Sequence, residues 1–555
     1  MSRVHAALCR IISLIIVAAA ATACSGGGGG MNSSSSSGSG TTPTPPPSGG
    51  GSTMPAQPTD ITTYKYDISR TGQNPTESVL TPANVNSSGF GLLRILPADG
   101  NVDAQPLYLS GLTLQGATHN VVYVATENDS VYAYDADSGA VLWHVSLLAS
   151  GETPSDPQGC GQITPQIGIT STPVIDRGAG AHGTLFVVAM SKNAAATYYQ
   201  RLHALDVTTG AELLNGPLVI QATYPTMGGT MVFAAQHYAE RAALLLSQGT
   251  IYTSFTSHCD EQPYSGWVIA YREGTLAQTA VFNAAPNSGG SGPAIWMAGG
   301  GPAADSSGNV YLLTANGAFE TSLNSAGFPS QSDYGNSFLK LSGTSLAVSD
   351  YFAMSNEVAE SSQDEDLGSG GILLLPDLTD ASNTTRHLAV GAGKDGNLYV
   401  VSRDSLGKFS SSSNNIWQEL DGALAGGIWS TPAYYNQTVY YGPVGGSLTA
   451  FTITAAKLAA ASATTTTFTY PGTSAAISAS GLSNAIVWAH ENSNPAVLHA
   501  YDATNLAREL YNSSQAANGR DQFGAGNKFI TPAIADGKVF VGTQSGVAVF
   551  GLLSN

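Results

Sequence analysis

Two carboxylates, Asp364 and Asp366, stand in the glycine-rich stretch SSQDEDLGSGG and are the first candidates for chemistry. A carboxylate held in a pocket can accept a proton from a substrate hydroxyl, whereas an acidic loop at the surface is simply solvated. Lys394, in the sequence GKDGN, is a candidate cation that would stabilise negative charge developing on an oxygen atom. Its alternative is an exposed lysine at a hairpin tip. For both features the two interpretations stay open.

A second group of chemically capable residues is the run His258, Cys259, Asp260 and Glu261 in SHCDEQPYSGW. Imidazole, thiolate and carboxylate groups bind transition metals, but there is no His-x-x-x-His or paired-cysteine spacing here, which argues against such a site. The chain also lacks a Gly-x-Ser-x-Gly elbow on a strand-to-helix turn and a glycine-rich phosphate loop ending in Lys-Ser/Thr. A polysaccharide lyase or hydrolase stays open, because carboxylates far apart in sequence leave no local motif.

The elements that must hold these residues form a repeated pattern. In TENDSVYAYDADSGAVLW, residues 126–143, an alternating strand is followed by an Asp-Ala-Asp-Ser-Gly turn and a second apolar run. Asp side chains can accept hydrogen bonds from nearby backbone N–H groups, and Gly139 can take a positive φ. The segments TLFVVAMSKNAAATYYQRLHALDVTTGAELL and NAIVWAHENSNPAVLHAYDATNLARELY repeat this order, the second without the glycine, and five weaker copies follow the same plan.

Eight strand pairs are therefore predicted, with first strands that begin near Val122, Leu185, Ile251, Val310, Leu388, Val439, Ile486 and Val539. Several pairs follow a shared upstream strand such as STPVID or ITPAIAD, so each repeat holds four strands. Four-stranded units at this spacing are typical of a β-propeller. The prediction is an all-β propeller of eight antiparallel blades, with seven as the alternative count. The stretch SGFGLLRILPADG near residue 90 would supply the outer strand of the last blade and close the ring.

Composition and charge agree with this fold and exclude some partners. Only 10% of the residues are charged, and the chain contains 64 glycines, which is the profile of a turn-rich β protein. The formal net charge of −18 argues against nucleic-acid binding, which needs Lys and Arg to neutralise phosphates. It also argues against electrostatic adsorption to anionic lipid.

The first 58 residues are predicted to target and tether the protein. Residues 1–23 combine Arg3 and Arg10 with a short apolar core, which is typical of a signal peptide. The sequence ATAC, ending at Cys24, resembles a bacterial lipobox in which Cys24 is lipidated, and an ordinary cleavage site is the alternative. Residues 24–58, rich in Gly, Ser and Pro, would tether the folded body of residues 59–555 to a membrane. A periplasmic or cell-surface lipoprotein of a bacterial envelope, for example on the outer membrane, is expected.

Two cysteines remain in the folded body, Cys160 and Cys259. In an oxidising compartment two cysteines suggest one disulfide, and two buried free thiols are the alternative. No Cys-x-x-Cys-His motif is present, so no covalently attached haem is expected.

The stretch VYAYDADSGAVLW resembles the blade-docking motif of the pyrroloquinoline-quinone (PQQ) dehydrogenase propellers, in which the turn Asp and Gly and the terminal Trp lock each blade to its neighbour. The stretch YDISRTGQNPTESVLTPANV is similar to the N-terminal segment of those enzymes. The resemblance covers most of residues 60–555 and implies a quinoprotein alcohol dehydrogenase-like propeller. Non-catalytic assembly and scaffold lipoproteins use the same blades, so the motif speaks for the fold more strongly than for chemistry.

The resemblance also implies where PQQ and Ca²⁺ would lie in the axial funnel. The stretch AIWMAGGGPAADSSGNVYLLTANG is similar to the family segment with the stacking Trp and a metal-binding Asn, which correspond to Trp296 and Asn316. An indole face suits a planar tricyclic quinone, and an amide oxygen suits Ca²⁺. The alternative is that Trp296 packs within a blade and Asn316 forms a turn.

Three further roles follow from the same resemblance. Lys394 corresponds to the lysine that contacts the quinone, and Asp364 or Asp366 corresponds to the catalytic base. Glu261 or Asp260 lies where the family has a Ca²⁺-binding Glu.

The chain departs from the family at two points. The Trp that precedes the catalytic Asp is absent, and only Cys160 stands where the family often carries a pair of adjacent cysteines. A rearranged bridge between Cys160 and Cys259 is inferred instead, joining neighbouring blades.

Two functions are carried forward. The first is a PQQ- and Ca²⁺-dependent oxidoreductase that acts on an alcohol or sugar and passes electrons to a separate acceptor. The second is a non-catalytic binding or scaffold propeller that presents its funnel or its blade edges to an envelope protein or a glycan. Convergence of Trp296, Asn316, Lys394 and one of the two Asp side chains in one axial pocket is the expectation that separates the first function from the second.

Overall fold

Eight antiparallel blades and two further two-stranded sheets make up the folded body in the computed structural model, which describes residues 60–290 and 292–554. The predicted signal peptide (1–23), Cys24 and the tether (24–58) lie outside the described residues. This count confirms the prediction of eight blades rather than seven. In the part of the chain that is described, no helix is long and apolar enough to cross a membrane.

Each blade contains four strands in chain order, and blade 8 takes its fourth strand from the N-terminal part of the chain. The strands are Leu107–Leu114, Ala117–Ala125, Ser130–Asp135 and Val141–Ser146 in blade 1; Val174–Asp176, Thr184–Asn193, Tyr198–Asp206 and Leu218–Val219 in blade 2; Leu245–Ser247, Thr250–Ser257, Trp267–Arg272 and Gln278–Asn283 in blade 3; Ala303–Ala304, Val310–Leu313, Ser337–Leu341 and Val348–Ala353 in blade 4; Leu373–Leu374, Leu388–Ala392, Leu398–Ser402 and Gln418–Leu420 in blade 5; Ala433–Tyr435, Thr438–Tyr441, Gly446–Thr454 and Lys457–Phe468 in blade 6; Ala476–Ser480, Ser483–Glu491, Val497–Asp502 and Glu509–Asn512 in blade 7; and Ala533–Ala535, Lys538–Thr543, Gly546–Leu552 and Phe90–Pro97 in blade 8.

Short elements occupy the connections between these strands. They are the strands Gln73–Asn74, Glu152–Pro154, Thr223–Thr226, Gly229–Val232, Tyr238–Ala239, Leu378–Thr379 and Thr385–Arg386, the 3-10 helices Ala235–His237, Met297–Gly299, Leu367–Ser369 and Ala517–Gly519, and the α-helix Glu357–Ser362.

Blade 8 closes the ring. Phe90–Pro97 pairs antiparallel with Gly546–Leu552, so that Phe90 lies opposite Leu552 and Pro97 opposite Gly546. The two ends of the folded body therefore share one sheet, as the unpaired last repeat predicts. Closure matters because it covers the apolar faces of the first and last blades, which an open arc of blades would expose.

The predicted docking motif joins blade 1 to blade 2. Asp135 accepts hydrogen bonds from the backbone N–H of Ser138 at 2.6 Å, and Gly139 has a φ of 79°. The indole Nε1 of Trp143 donates to the carbonyl oxygen of Val207 at 3.0 Å. Its ring covers Gly210 so closely that a Cβ there would lie 2.8 Å from a ring carbon. Glycine in this turn is therefore required by the tryptophan of the preceding blade.

The apolar core lies between neighbouring blades. Val122 of blade 1, Leu185 of blade 2 and Phe540 of blade 8 belong to one buried cluster. Tyrosine hydroxyls cross the same spaces, because Tyr123 donates to Val207 O and Tyr440 donates to Ala503 O, each at 2.9 Å. The two faces of each blade are thus covered by the blades on either side of it. An isolated four-stranded sheet could not bury both faces in this way.

The chain before the first blade fills the axial channel. Residues 60–77, here called the plug, hydrogen-bond to every blade at its first strand or just before it, through the pairs Ile61–Tyr108, Thr62–Ile175, Arg70–Leu244, Ile68–Ala304, Ser69–Leu374, Thr71–Tyr434, Gly72–Ile477 and Tyr66–Ile534. A segment that touches the innermost strands of all eight blades must lie on the axis. The plug therefore closes the channel from within and satisfies backbone groups on the inner strand edges.

Candidate functional site

A cavity of about 360 Å³ is lined by loops from several blades. Its polar and aromatic lining residues come just before a first strand or just after a second strand, which places them at one end of the axial channel. They are Asp103, Cys160, Arg241, His258, Cys259, Asp260, Trp296, Asp364, Asp366, Lys394, Trp429, Tyr470, Lys528 and Phe529. Residues separated by more than four hundred positions in sequence therefore line one cavity. In every blade the start of the first strand and the end of the second strand lie at the same end of the axis, because these two strands are antiparallel.

The centre of this site is an ion-paired cluster. Lys394 Nζ lies 2.6 Å from Asp366 Oδ2 and 2.8 Å from Asp364 Oδ1. Asn316 completes the cluster, because its backbone N–H donates to Asp366 Oδ1 at 2.7 Å and its amide Nδ2 donates to Asp364 Oδ1 at 2.8 Å. Four residues singled out in the sequence are thus brought into direct contact.

Burial and charge act in opposite directions on this cluster. Burial alone would lower the pKa of Lys394, but the charges and hydrogen bonds of Asp366 and Asp364 outweigh it and raise the pKa above the usual lysine value. Burial raises the pKa of Asp366, although Lys394 and the Asn316 N–H favour its ionised form. Asp366 is buried, whereas the Asp364 side chain is 71% exposed. Asp366 is therefore the carboxylate better suited to accept a proton.

Aromatic rings line the cavity on several sides. Trp296 and Phe529 meet edge to face with centroids 6.4 Å apart, Phe529 and Tyr470 lie 6.3 Å apart, and Tyr470 and Trp429 lie 5.8 Å apart. Trp296 is half-buried. It lines the cavity and also packs against the apolar cluster that contains residues of blades 2 and 3. Such rings provide flat apolar faces on which a planar ligand can stack.

Two cations that sequence reasoning missed, Arg241 and Lys528, line the same cavity. Arg241 is 7% exposed, lies 4.7 Å over the ring of Phe529, and has one long ion pair of 3.3 Å to Asp103. Its Nε has no hydrogen-bond partner. Burial and the neighbouring charge of Arg241 lower the pKa of Lys528. Crowded cations with unused donors indicate a site for an anionic ligand.

Strained backbone also collects around the cavity. Positive φ values occur at Cys259 (49°), Asp260 (58°), Asp364 (62°) and Phe529 (65°), none of which is glycine. Each such residue costs about 1–3 kcal/mol and is held only where the surrounding structure enforces it. Strain of this kind is typical of binding and catalytic sites.

The disulfide of the body lies in the wall of this cavity. Cys160 and Cys259 are bonded to each other, and both line the cavity. The bridge joins the connection between blades 1 and 2 to the loop that follows the second strand of blade 3. It therefore links neighbouring blades and, in addition, shapes the site.

The predicted metal ligands are bonded to other protein groups or lie outside the cavity lining. Asn316 bonds to Asp364 and Asp366, whereas Asp260 accepts a hydrogen bond from Ser257 Oγ at 3.0 Å and Glu261 is exposed and outside the cavity lining. Among the described residues, no group of three or more His, Cys, Asp or Glu side chains could hold a metal ion. The residues present therefore do not fit a resident Ca²⁺, which takes six to eight oxygen ligands.

Comparisons with known proteins agree with this architecture. A family model for PQQ repeats, described as outer membrane protein assembly factor BamB, matches residues 101–167 and 128–252, which cover blades 1 and 2. No match was found among curated protein sequences.

Solved structures of quinoprotein dehydrogenases share the fold. The chain is similar to the quinohemoprotein alcohol dehydrogenase of Comamonas testosteroni, with a TM-score of 0.60 and 14% identity over 89% of this chain and 80% of that one. It is similar to the quinohemoprotein alcohol dehydrogenase ADHIIG of Pseudomonas putida HK5, with a TM-score of 0.59 and 14% identity over 90% and 81% of the two chains. A europium-containing methanol dehydrogenase matches with a TM-score of 0.57 and 14% identity over 89% and 98%.

These likenesses, together with the eight sheets, define the class of protein. The folded body is an eight-bladed β-propeller whose first two blades match the PQQ-repeat family model and whose fold is shared with quinoprotein dehydrogenases. At this level of identity the similarity establishes the fold, and chemistry has to be argued from the site.

Proposed function

We propose that the axial cavity binds PQQ and that the protein oxidises an alcohol or sugar. The observation that carries this proposal is the convergence of Trp296, Lys394, Asp364 and Asp366 in one cavity, with Asn316 bonded to both carboxylates. These are the residues that the resemblance selects from separate blades. A chance collection of blade-core and loop residues would not meet at one end of the axis.

The cavity has the chemistry that PQQ requires. The indole of Trp296 and the ring of Phe529 offer flat faces for the tricyclic ring system, and the cavity of about 360 Å³ is of the size of a small-molecule site. Arg241 and Lys528 would pair with the carboxylates of the cofactor, since the Nε of Arg241 is buried without a partner. An arginine suits this task because its planar donors match a carboxylate in two places.

The chain's own residues would then act on the substrate. Bound PQQ supplies a two-electron acceptor for the hydride of the substrate carbon. Asp366 accepts the proton of the substrate hydroxyl, because it is buried and its pKa is raised by that burial. Lys394 stabilises negative charge that develops on an oxygen within its reach, and the two carboxylates hold its ammonium group in place.

Export and anchoring complete the proposal. Residues 1–23 would direct the chain out of the cytoplasm, Cys24 would carry lipid, and residues 24–58 would tether the propeller in the periplasm or at the cell surface. The electrons would pass to a separate acceptor in the envelope.

A second candidate function is glycan binding without catalysis. Trp429 and Tyr470 lie at the cavity with rings 5.8 Å apart, and Tyr470 is 44% exposed. Exposed aromatic faces beside carboxylates suit the stacking and hydrogen bonding of sugar rings.

The deciding experiment is a titration of the purified full chain with PQQ, followed by quenching of tryptophan fluorescence. Trp296→Ala removes the stacking face and is expected to weaken binding at least tenfold, or about 1.4 kcal/mol. Trp143→Phe is the matched control, because that indole packs between blades 1 and 2 outside the cavity lining. It should leave the affinity unchanged.

Two results would lead away from the oxidoreductase. Absence of saturable quenching in the unmodified chain would reject PQQ binding and direct the search to a glycan array. Equal loss in both variants would show that the signal does not report a ligand stacked on Trp296.

A further inference from the structure

In the ion-paired cluster of Lys394, Asp364, Asp366 and Asn316, the cation that neutralises the two carboxylates is a side chain of the protein. We propose that Lys394 takes the place of a metal ion at Asp364 and Asp366, so that ligand binding in this cavity needs no divalent cation. This inference rests on the proposed function, but it also makes a claim about calcium binding that can be tested without any organic ligand.

The geometry of the carboxylates carries the first step. Asp366 Oδ2 lies 2.6 Å from the ammonium of Lys394, and Asp366 Oδ1 accepts the N–H of Asn316 at 2.7 Å. Asp364 Oδ1 accepts from both Lys394 and the Asn316 amide, each at 2.8 Å. Three of the four carboxylate oxygen atoms that could bind a metal are thus engaged by nitrogen donors. A Ca²⁺ ion would have to displace the ammonium and turn the amide of Asn316.

Charge carries the second step. Lys394 is 16% exposed and Asp366 is 8% exposed at the side chain, so their pairing takes place largely out of water. A buried carboxylate requires a partner of opposite charge. Lys394 already provides it, and a second cation in contact with the same oxygen atoms would be repelled by the first.

The surrounding residues carry the third step. A calcium site would need further oxygen ligands, but Asp260 is engaged by Ser257, and Glu261 lies outside the cavity lining. The cations left over for a ligand, Arg241 and Lys528, are also supplied by the chain. The cavity is therefore built to neutralise an anionic ligand with side chains alone.

Calorimetric titration with Ca²⁺ is the direct test. The unmodified full chain, stripped with EDTA, should show no stoichiometric binding of Ca²⁺. Lys394→Met removes the ammonium while retaining its apolar stem, and leaves two neighbouring carboxylates without their cation, beside an Asn316 amide that can turn its oxygen toward them. This variant should gain a Ca²⁺ site. Stoichiometric, tight Ca²⁺ binding by the unmodified chain at this cluster, abolished by Asp366→Asn, would overturn the proposal.

The PQQ titration adds the second arm. Quenching in the unmodified chain should be the same, within about twofold, in EDTA and in Ca²⁺, whereas Lys394→Met should lose at least about tenfold in EDTA and recover part of it in Ca²⁺. A requirement for Ca²⁺ in the unmodified chain would overturn the proposal. If that chain binds no PQQ at all, the proposed function fails, while the calorimetry still decides the role of Lys394. Should Lys394→Met not fold, Lys394→Gln replaces it, and the unmodified chain is decisive by itself.

Discussion

Two regions of the axial channel, the plug and the cavity, hold buried cations in contrasting ways. In the plug, Arg70 donates to the carbonyl oxygens of Tyr64, Leu244 and Pro302 and to Thr63 Oγ1, at 2.8–3.0 Å. Lys65 donates to the carbonyl oxygens of Thr431, Pro432 and Ala475.

At the cavity, the cations are held by carboxylates or left with unused donors. Lys394 is shared between Asp364 and Asp366, and Arg241 keeps a buried Nε without a partner.

The difference separates a structural cation from a binding one. Burying a charge costs free energy unless hydrogen bonds replace those to water. The plug cations are paired with fixed backbone atoms from four blades, so they leave nothing for a ligand and instead hold the blades together. The cavity cations are paired incompletely, and the strained backbone around them adds to the cost. A ligand of opposite charge would offset part of that cost when it binds.

The largest expected effect tests the plug. Arg70→Ala leaves three backbone carbonyl oxygens unsatisfied in the channel, each at a cost of about 1–3 kcal/mol, so the free energy of unfolding should fall by about 3 kcal/mol or more. Equilibrium unfolding in denaturant measures this loss in the free energy of unfolding. Arg508→Ala is the control, because its ion pair with Asp502 is exposed and should change stability by less than about 1 kcal/mol. If the two variants lost the same free energy of unfolding, Arg70 would not be a structural cation of the kind described here.

The next effect depends on pH. Burial lowers the pKa of Lys65 from 10.5 to about 7, so between these values the unfolded chain binds more protons than the folded one. The free energy of unfolding should therefore gain up to about 1.4 kcal/mol per pH unit from this residue as the pH rises above 7. Lys65→Met should lack this gain, which the difference between the two unfolding curves would reveal. Lys394, whose pKa is raised, should give no such rise over the same range.

The smallest effect concerns the cavity. Arg241→Gln should weaken the binding of PQQ about tenfold, which is about 1.4 kcal/mol, because a carboxylate of the ligand loses the buried guanidinium that pairs with it. Fluorescence titration measures the affinity, and unfolding should show a smaller loss of stability than Arg70→Ala. An unchanged affinity would mean that the anion-binding role belongs to Lys528 or to no residue at this end of the cavity.

The ring of blades could be predicted from the sequence because the interactions that specify each blade join residues that are close together in the chain. The Asp and Gly of a blade turn and the Trp that covers the next turn are repeated in the chain, and their spacing reveals four strands per blade. The missing outer strand of the last repeat also identified Phe90–Pro97 as the closing strand. These features need only hydrogen bonds within a turn and alternation along a strand.

The site was accessible to sequence reasoning only in part. Trp296, Asn316, Lys394, Asp364 and Asp366 were found because the stretches around them resemble a known family. Arg241, Lys528, Phe529, Trp429 and Tyr470 carry no such motif, and they lie in four separate loops of the chain. The burial of Arg241 and its unpaired Nε cannot be read from HYAERAALLL, because they depend on contacts with distant segments of the chain.

The amino-acid sequence by itself determined the blade, its turn and the number of repeats, because the interactions that specify them join residues near each other in the chain. Only the tertiary structure decided that the plug fills the axis, that Lys394 rather than a ring of acids meets Asp364 and Asp366, and that Cys160 and Cys259 shape the cavity wall. Ring closure brings together loops from the whole length of the chain, and the direction in which each side chain then points depends on packing across blades, not on its neighbours in sequence.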